Sequence, residues 1–569
     1  MSNKTRTLSP VKRFWMLLKP DAREIKNVYI YSIVNGLVNL SLPVGIQAII
    51  NLIQGGQIST SWIVLVVFVI TGIIISGILQ ISQLKITEHL QQKIFVRAAF
   101  EFTYRIPKIR LESLYKYYAP ELMNRFFDVM SVQKGLSKIL IDFSTASIQV
   151  IFGLILLSLY HPFFIVFSFI LVILIYTIFK LTGKMGLKTS LEESKYKYNL
   201  AHWLQELART NVTFKMAGTT NLALEKTEKE TSKYISARES HFKILVQQYM
   251  LMVGFKVLVA AGLLLIGGVL VMEQQMNIGQ FVAAEIIILL ILGSVEKLIL
   301  SLEVLYDVLT SLEKIGQVTD LELDEQTGVC LSKESTDGGL KVEFDKVIFH
   351  YPGQNKLILN EFSLRIEKGE RLMISGDNDS GKATLIALIA GTYSPSSGYI
   401  GYNDFPQLNL NLTDLRNIMG ECLTSELLFE GTILENISMG RERATFENVQ
   451  WAVKNLGLEK IIQELPNGYE TKIFPQGQLF SKSVVNKFLL ARSIADKPKL
   501  LIIKDMFTFL SPKEKERIIS FLTDRSNEWT FVLVSKDSTI AMKMDKIAFL
   551  SSGKLDRIGN YEAMKEYLN

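Results

Sequence analysis

Six long apolar segments constrain the fold of this chain more than any other feature of its sequence. Each has about the 20 residues that a helix needs to cross the hydrocarbon core of a bilayer. Apolar segments in lipid must satisfy their own backbone hydrogen bonds, which favours helices. The sequence predicts a six-helix membrane domain with long cytoplasmic helical extensions, and its spans lie at approximately Val28–Ile53, Trp62–Ser82, Ile141–Tyr160, Pro162–Gly183, Tyr249–Met272 and Gly279–Leu302.

The charges between these spans predict their orientation. Two short connections, Gln54–Ser61 and Glu273–Ile278, contain no lysine or arginine, whereas the long connections Gln83–Leu140 and Lys184–Gln248 are rich in basic residues. Basic loops stay in the cytoplasm. We therefore expect a plasma (inner) membrane protein whose N-terminus, long loops and C-terminal part are cytoplasmic. The basic N-terminal segment contains Pro10–Leu18, which is either a short amphipathic helix at the membrane surface or part of a disordered tail.

The part of the chain after the spans has the pattern of a soluble domain. An acidic segment with glycine and serine predicts a linker, and short apolar runs then alternate with helical patterns. This alternation predicts an α/β domain with a largely parallel sheet. The predicted domains are residues 1–27, an N-terminal segment; 28–318, the membrane domain; 319–339, the linker; and 340–569, the α/β domain. The strand candidates are Arg371–Ser375, Lys499–Ile503, Thr530–Val534 and Ile547–Leu550.

Composition argues against several classes of function. The formal net charge is only +6 in 569 residues, and aromatic residues are not interleaved with basic clusters. We therefore expect no nucleic-acid partner. The only cysteines, Cys330 and Cys422, lie far apart in the sequence and indicate neither a disulfide framework nor a metal site. We expect no metal ligands in this chain.

A glycine loop in the α/β domain predicts a phosphate site. Residues Gly376 to Lys382 read G-x-x-x-x-G-K between an apolar run and a helical pattern. In such loops, backbone N–H groups and a lysine hold phosphates at a helix N-terminus. The next position normally supplies a Ser or Thr hydroxyl to magnesium, but here it is Ala383. The loop therefore resembles a nucleotide site that lacks one magnesium ligand.

Ionisable residues within the last two spans are a second set of candidates, because charge in lipid is costly and usually serves a partner or a cavity. At about 1.5 Å per residue, Lys256 and Glu296 lie roughly 24 and 26 Å from the outer ends of their spans. We expect these two side chains to pair. Glu285 is only about 9 Å deep, and we expect it to point into a translocation path. Structural pairing or snorkelling near the interface is the alternative.

Together, the spans and the α/β domain resemble the half-size ABC exporter family over nearly the whole chain. Tyr351, in Phe349–Pro352, matches the aromatic residue that stacks on adenine, and Gly376, Gly381, Lys382 and Thr384 match the phosphate loop. Further landmarks are Leu428–Ile437, Leu465–Thr471, Ala491-Arg492 and Pro498-Lys499. The resemblance implies ATP as ligand and a dimer in a lipid bilayer. It also places coupling helices at Tyr118–Met130 and His202–Phe214.

In the register that these landmarks set, most positions that would contact metal, water or the γ-phosphate are altered. Asp379 lies at a position of the phosphate loop that is usually glycine, and Thr424 lies at the position of the Q-loop glutamine. Lys504 lies at the position of the Walker B aspartate, and Asp505 at the position of the glutamate that follows it. Lys536 lies at the position of the switch histidine. Ser511 replaces the D-loop aspartate. The signature L-S-G-G-Q reads Phe480-Ser481-Lys482-Ser483-Val484. Hydrolysis depends on magnesium and positioned groups. We therefore expect no intact set of catalytic residues and no magnesium binding. ATP binding is possible but doubtful.

Two interpretations of the phosphate site remain open at the level of sequence. In one, Asp379 forms ion pairs with Lys382 and Lys504 and occupies the site itself. In the other, Lys382, Lys504 and Lys536 form an anion site that needs no metal. Three functions are likewise open: a non-hydrolysing half of an export dimer, with itself or with an active half-transporter; a genuine ATP-driven exporter with slow turnover; or a membrane scaffold or sensor that transports nothing.

Overall fold

The structure is a computed structural model that describes residues 8–54, 60–115, 117–324, 326–331, 337–423, 427–504 and 506–568. The chain forms two compact units. The first comprises Met1–Pro107 and Tyr117–Leu321, and the second comprises Lys108–Lys116 and Glu322–Asn569. We call them the membrane unit and the nucleotide unit.

The described residues of the membrane unit form helices joined by short turns, and six of the helical stretches are long and apolar enough to cross a membrane. They run over Pro10–Ile53, Thr60–Lys108, Ala119–Ser158, Pro162–Arg209, Leu222–Met272 and Ile278–Thr319. The predicted number of spans is confirmed. Several helices are far longer than a bilayer requires: the helix Pro162–Arg209 has 48 residues, which corresponds to about 72 Å.

Local sequence sets where these helices begin. Pro162 is the first residue of its helix, where its missing N–H costs nothing, and the His161 ring accepts a hydrogen bond from the backbone of Phe163. The last long helix begins with a capping box, in which Asn277 and Gln280 bond each other's backbone. The helices of this unit are Pro10–Leu18, Ala22–Gln54, Thr60–Arg105, Ala119–Leu122, Asp128–Lys138, Ser144–Ser158, Pro162–Arg209, Asn211–Met216, Leu222–Gly262, Gly268–Met272 and Ile278–Thr319.

The N-terminal segment folds with the membrane unit. Pro10–Leu18 is a helix, as one of the two interpretations predicts, and it buries Phe14 and Leu18. The Arg13 guanidinium donates two hydrogen bonds to the carboxylate of Asp320, at 2.7 and 2.5 Å. A bidentate pair of this kind fixes geometry as well as charge. The expected boundary at residue 27 therefore does not coincide with a boundary between compact units.

Short helices lie in both proposed coupling segments, but neither segment is one continuous helix. Tyr118–Met130 contains only a short helix, Ala119–Leu122, and a 3₁₀ turn, Met123–Phe127, before the next helix begins at Asp128. His202–Phe214 is also not one helix, because the preceding helix continues to Arg209 and a separate one covers Asn211–Met216. Residues Lys108–Lys116, which the sequence does not single out, pack within the nucleotide unit.

The nucleotide unit is built on a six-stranded sheet. Its strand order is Lys554–Gly559, Lys546–Ser551, Arg371–Gly376, Thr530–Val534, Leu500–Lys504 and Met419–Cys422. Only the edge strand Lys554–Gly559 is antiparallel to its neighbour. All four predicted strands are present within one residue at each end. Thr530–Val534 is buried along its whole length, which accounts for its continuous apolar sequence.

A second, antiparallel sheet has the order Leu359–Ile366, Val342–Phe349, Ser397–Tyr402 and Phe405–Pro406. The sequence indicates only the strand Val342–Phe349, because residues Lys341–Phe349 have a strand-like pattern. Gly431–Thr432 and Lys472–Ile473 form a small further pair. The helices of this unit are Leu111–Leu114, Lys382–Ile389, Leu412–Asn417, Ile433–Ser438, Phe446–Leu456, Glu459–Gln463, Lys482–Ile494, Pro512–Leu522, Ser538–Ala541 and Tyr561–Met564.

Candidate functional site

The glycine loop connects the strand Arg371–Gly376 to the helix Lys382–Ile389. Gly376 has φ +141°, and a Cβ there would come within 2.1 Å of the Leu550 carbonyl oxygen. Gly381 has φ +99° and immediately precedes the helix. Both positions therefore require glycine. The strand–loop–helix geometry predicted from the sequence is present.

A cavity of about 670 Å³ lies against this loop. Residues from four separate parts of the nucleotide unit line it: the aromatic turn, the glycine loop, and the ends of two neighbouring parallel strands. The carboxyl ends of parallel strands meet at one edge of a sheet, which brings Lys504 and Lys536 to the loop. The predicted residues that line the cavity are Tyr351, Asp379, Gly381, Lys382, Ala383, Thr384, Lys504 and Lys536.

The cavity has an excess of positive charge. Lys382, Lys504, Lys536 and Lys356 line it, and Asp379 is the one acidic residue among the described lining residues. Lys356 was not identified from the sequence, although it follows the aromatic turn by only a few residues. Anions are attracted to a concave surface with this charge.

The lysine of the glycine loop contacts the loop itself. Lys382 Nζ donates to the Gly376 carbonyl oxygen at 3.0 Å, to the Asp377 carbonyl oxygen and to Ser380 Oγ at 3.3 Å. Asp379 has φ +60° at a position where the resemblance implies glycine. Occupation of the site by ion pairs between Asp379 and Lys382 or Lys504 stays a prediction. Lys536 Nζ donates to Asn378 Oδ1 at 3.2 Å.

The aromatic residue at the cavity belongs to a cluster. Tyr351 packs edge-to-face on Phe349 and Tyr393, and its hydroxyl lies 3.0 Å from Thr384 Oγ1. Tyr115, from the segment Lys108–Lys116, stacks on Tyr351 with ring centroids 5.5 Å apart and an interplanar angle of 15°. Sequence reasoning missed Tyr115, because nothing local indicates that residues 236 positions apart meet.

The signature stretch lies elsewhere and does not line this cavity. Ser481 caps the helix Lys482–Ile494 by accepting a hydrogen bond from the Val484 backbone. Phe480 packs on Phe488, and Lys482 Nζ lies 5.1 Å from the Phe509 ring centroid. Ser483 is the second residue of the helix. Thr424 and Asp505 fall outside the described residues.

The start of the next helix carries a strongly held carboxylate. Glu514 accepts hydrogen bonds from Ser511 Oγ at 2.7 Å and from Lys487 Nζ at 3.1 Å. These bonds, the one from Ser511 first, lower the pKa of Glu514 to about 2. Ser511, at the D-loop position, therefore has a structural role as the N-cap of Pro512–Leu522.

The charged residues of the spans divide into a pair and a separate residue. Lys256 Nζ donates to Glu296 Oε2 at 2.6 Å, so these side chains meet at the depth that the span lengths predict. Glu285 is exposed on the surface of the membrane unit and, among the described residues, has no basic side chain within 4.0 Å. Its expected place in a translocation path stays a prediction.

Charge reversal tests the Lys256–Glu296 pair. Lys256→Glu or Glu296→Lys places two like charges together, and we expect each to lower stability by about 1–3 kcal/mol. The double reversal should recover most of this loss, because it restores opposite charges. The measurement is thermal unfolding of the purified chain in detergent. A double variant no more stable than the single variants would contradict the pair.

Comparison with protein families covers both units. The model of the ABC transporter transmembrane region matches residues 27–295, and the ABC transporter model matches residues 359–507. Among curated proteins, an uncharacterised ABC transporter ATP-binding protein of Bacillus subtilis (strain 168), YfiB, is 30% identical over 44% of this chain and 43% of its own length. A putative multidrug export ATP-binding/permease protein of the same organism, YgaD, is 32% identical over 40% of this chain and 39% of its own length. These matches span less than half of each relative.

A solved structure shows the same fold along almost the whole chain. It is that of a bacterial Atm1-family ABC exporter with ATP bound, and it matches with a TM-score of 0.84 over 96% of this chain and 97% of its own. The two sequences are 18% identical, so the likeness concerns fold. The six spans match the transmembrane-region model, and the α/β unit matches the ABC transporter model. The chain therefore has the fold and domain organisation of a half-size ABC exporter, with an ABC transporter transmembrane region fused to an ABC transporter domain.

Proposed function

We propose that this chain is the non-hydrolysing half of an export complex in the plasma membrane, with its long loops and nucleotide unit in the cytoplasm. It contributes six spans and a dimerisation surface to a partner that hydrolyses ATP. The observation that carries the proposal is Lys504, a cation that lines the phosphate cavity at the position where the family resemblance implies a magnesium-binding aspartate.

The donors in the cavity suit an anion and do not suit magnesium. Magnesium binds oxygen ligands, usually a carboxylate and phosphates. The methyl group of Ala383 provides no oxygen, and the ammonium group of Lys504 repels a divalent cation. Lys382 and Lys536 provide further positive charge from the same cavity. The cavity therefore supports binding of a nucleotide or another polyanion without the metal on which phosphoryl transfer depends.

Dimerisation follows from the family resemblance, in which each ATP site combines one chain's glycine loop with the other chain's signature. Two copies of this chain would form two altered sites. An active partner would place its own glycine loop opposite Ser481 and Lys482. Ser481 is retained at the helix cap, and the ammonium group of Lys482 is exposed beside Phe509. These groups leave an electrostatically favourable surface for the partner's nucleotide.

Purification of the tagged chain from its native membrane tests this proposal. We expect a second half-transporter with intact motifs to copurify, and we expect the complex to hydrolyse ATP. Lys→Ala in the partner's glycine loop should abolish activity, whereas Lys382→Ala in this chain should change it less than about twofold, since no chemistry depends on this lysine. Hydrolysis lost on Lys382→Ala would instead indicate a slow exporter. Copurification of a non-transporter without ATPase activity would indicate a scaffold.

A further inference from the structure

The one aromatic ring among the described residues that line the phosphate cavity is already stacked on another ring. Tyr351 lines the cavity, and the other lining side chains are charged, polar or aliphatic. A base bound in this cavity would therefore stack on Tyr351, because a base gains affinity from a protein ring by face-to-face contact. Tyr115 lies on that ring, nearly parallel to it.

The geometry of Tyr115 is that which a stacked base would adopt. Phe349 and Tyr393 meet the Tyr351 ring at 83° and 87°, whereas Tyr115 meets it at 15° with the centroids 5.5 Å apart. Stacked aromatic pairs prefer this offset parallel arrangement. The Tyr351 hydroxyl also lies 3.0 Å from Thr384 Oγ1, which holds the ring in this orientation.

Tyr115 is held in place by contacts within the nucleotide unit, to which the segment Lys108–Lys116 belongs. Its hydroxyl accepts a hydrogen bond from Gln354 Nε2, three residues after Tyr351. In the same segment, Glu112 Oε1 accepts a hydrogen bond from the Ser394 backbone at 3.0 Å. The turn that carries Tyr351 and the segment that carries Tyr115 are thus joined by polar contacts as well as by the stacked rings.

The part of the cavity that suits phosphate is not covered in this way. Tyr115 is not among its described lining residues, whereas Lys356, Lys382, Lys504 and Lys536 are. Four lysines face one aspartate, which gives the described lining residues a formal excess of three positive charges. This charge attracts a phosphate chain whatever group the chain carries.

We propose that the cavity binds a triphosphate chain and does not select for a base, because Tyr115 covers the ring on which the base would stack. The inference rests on the metal-free anion site of the proposed function. A stacked base typically strengthens binding by about 5- to 150-fold. Here a base must first displace Tyr115, and the lost contact between the two tyrosine rings offsets much of that gain.

Three triphosphates test the absence of base selection. The probes are ATP, GTP and methyl triphosphate, which has the same phosphate chain and charge without ribose or base. Binding to the purified full-length chain in detergent is measured by calorimetry in EDTA. We expect the three dissociation constants to agree within about threefold, because none of the probes gains a stacked base.

Substitutions at Tyr115 test whether this ring is the cause. Tyr115→Ala should expose the Tyr351 ring and strengthen ATP binding by about fivefold or more. Methyl triphosphate should bind as it does to the wild type, which shows that the phosphate site of the variant is intact. Tyr115→Phe retains the ring and should bind ATP like the wild type.

Two further variants make the result specific. In Tyr115→Ala combined with Tyr351→Ala, the gain in ATP affinity should disappear, because the base then has no ring to stack on. Tyr117→Ala removes an exposed tyrosine two residues after Tyr115 and is the matched control, with no expected change in affinity for any probe.

Three results would overturn the inference. They are wild-type binding of ATP at least about tenfold tighter than that of methyl triphosphate, no measurable binding of methyl triphosphate, or an unchanged ATP affinity in Tyr115→Ala. None of these measurements depends on ATP hydrolysis or on a partner. Selective ATP binding by the wild type would therefore leave a non-hydrolysing role intact, and failure of the copurification experiment would leave the binding results intact.

Discussion

Purified alone, this chain should hydrolyse ATP no faster than the background, and restoration of its altered positions should create measurable turnover. The restored variant carries Ala383→Ser, Thr424→Gln, Lys504→Asp, Asp505→Glu and Lys536→His, together with Asp379→Gly. Its signature carries Phe480→Leu, Lys482→Gly, Ser483→Gly and Val484→Gln. Each change introduces the residue that the family resemblance implies at that position.

The expected difference is large because the groups act on one transition state. Loss of a single donor to developing negative charge typically costs about 10²–10³ in rate. Several such losses, including the magnesium ligands, should leave the wild-type chain at least about 10⁴-fold below the restored variant. The fold should tolerate the changes, because Gly376, Gly381 and the adjoining strand are unaltered and Ala383→Ser is the one change in the helix Lys382–Ile389. Phosphate release from the two purified proteins, both with magnesium, is the measurement.

Two controls make this result interpretable. In the restored variant, Lys382 should hold the phosphate that is transferred. Lys382→Ala in that variant should therefore abolish the gain in ATP hydrolysis. A restored variant that binds ATP but remains inactive would indicate that other substitutions block hydrolysis. Wild-type turnover comparable with that of the restored variant, and lost on Lys382→Ala, would contradict a non-hydrolysing chain.

The sequence was sufficient for the parts of this structure that depend on local pattern. Span number follows from hydropathy, because a lipid environment leaves an apolar segment few alternatives to a helix. The strand Thr530–Val534 has the same ends in prediction and structure, since its buried apolar run is bounded by polar residues. The exact ends of the short helix within Tyr118–Met130 could not be predicted, because an amphipathic pattern does not distinguish an α-helical turn from the 3₁₀ turn that follows it.

Some residues of the candidate site could likewise be predicted from the sequence, and others could not. The family resemblance predicted that Lys504 lies near Lys382, and the parallel strand order brings both residues to the cavity. Tyr115 could not be placed, because its contact with Tyr351 joins segments with no shared periodicity.

The second large effect concerns magnesium. The wild-type chain should bind ATP as tightly in EDTA as in magnesium, because Lys382, Lys504 and Lys536 supply the positive charge at the phosphate cavity. Lys504→Asp should reverse this behaviour. It removes one cation and adds one anion, so affinity in EDTA should fall by about tenfold or more. Magnesium should then restore binding. Titration of a fluorescent ATP analogue against the purified chain, with and without magnesium, measures both constants.

Asp379 and a distant lysine provide the matched comparisons for this titration. Asp379→Gly removes the one acidic side chain among the described residues that line the cavity, and should therefore strengthen metal-free binding. Lys460→Asp makes the same charge change as Lys504→Asp at an exposed position that does not line the cavity. At physiological salt the Debye length is about 8 Å, so this change should have little effect. Equal losses in Lys460→Asp and Lys504→Asp would mean that net charge, not the cavity, attracts the nucleotide. Strict magnesium dependence in the wild type would mean that the metal binds despite Ala383 and Lys504, and the case against hydrolysis would fail with it.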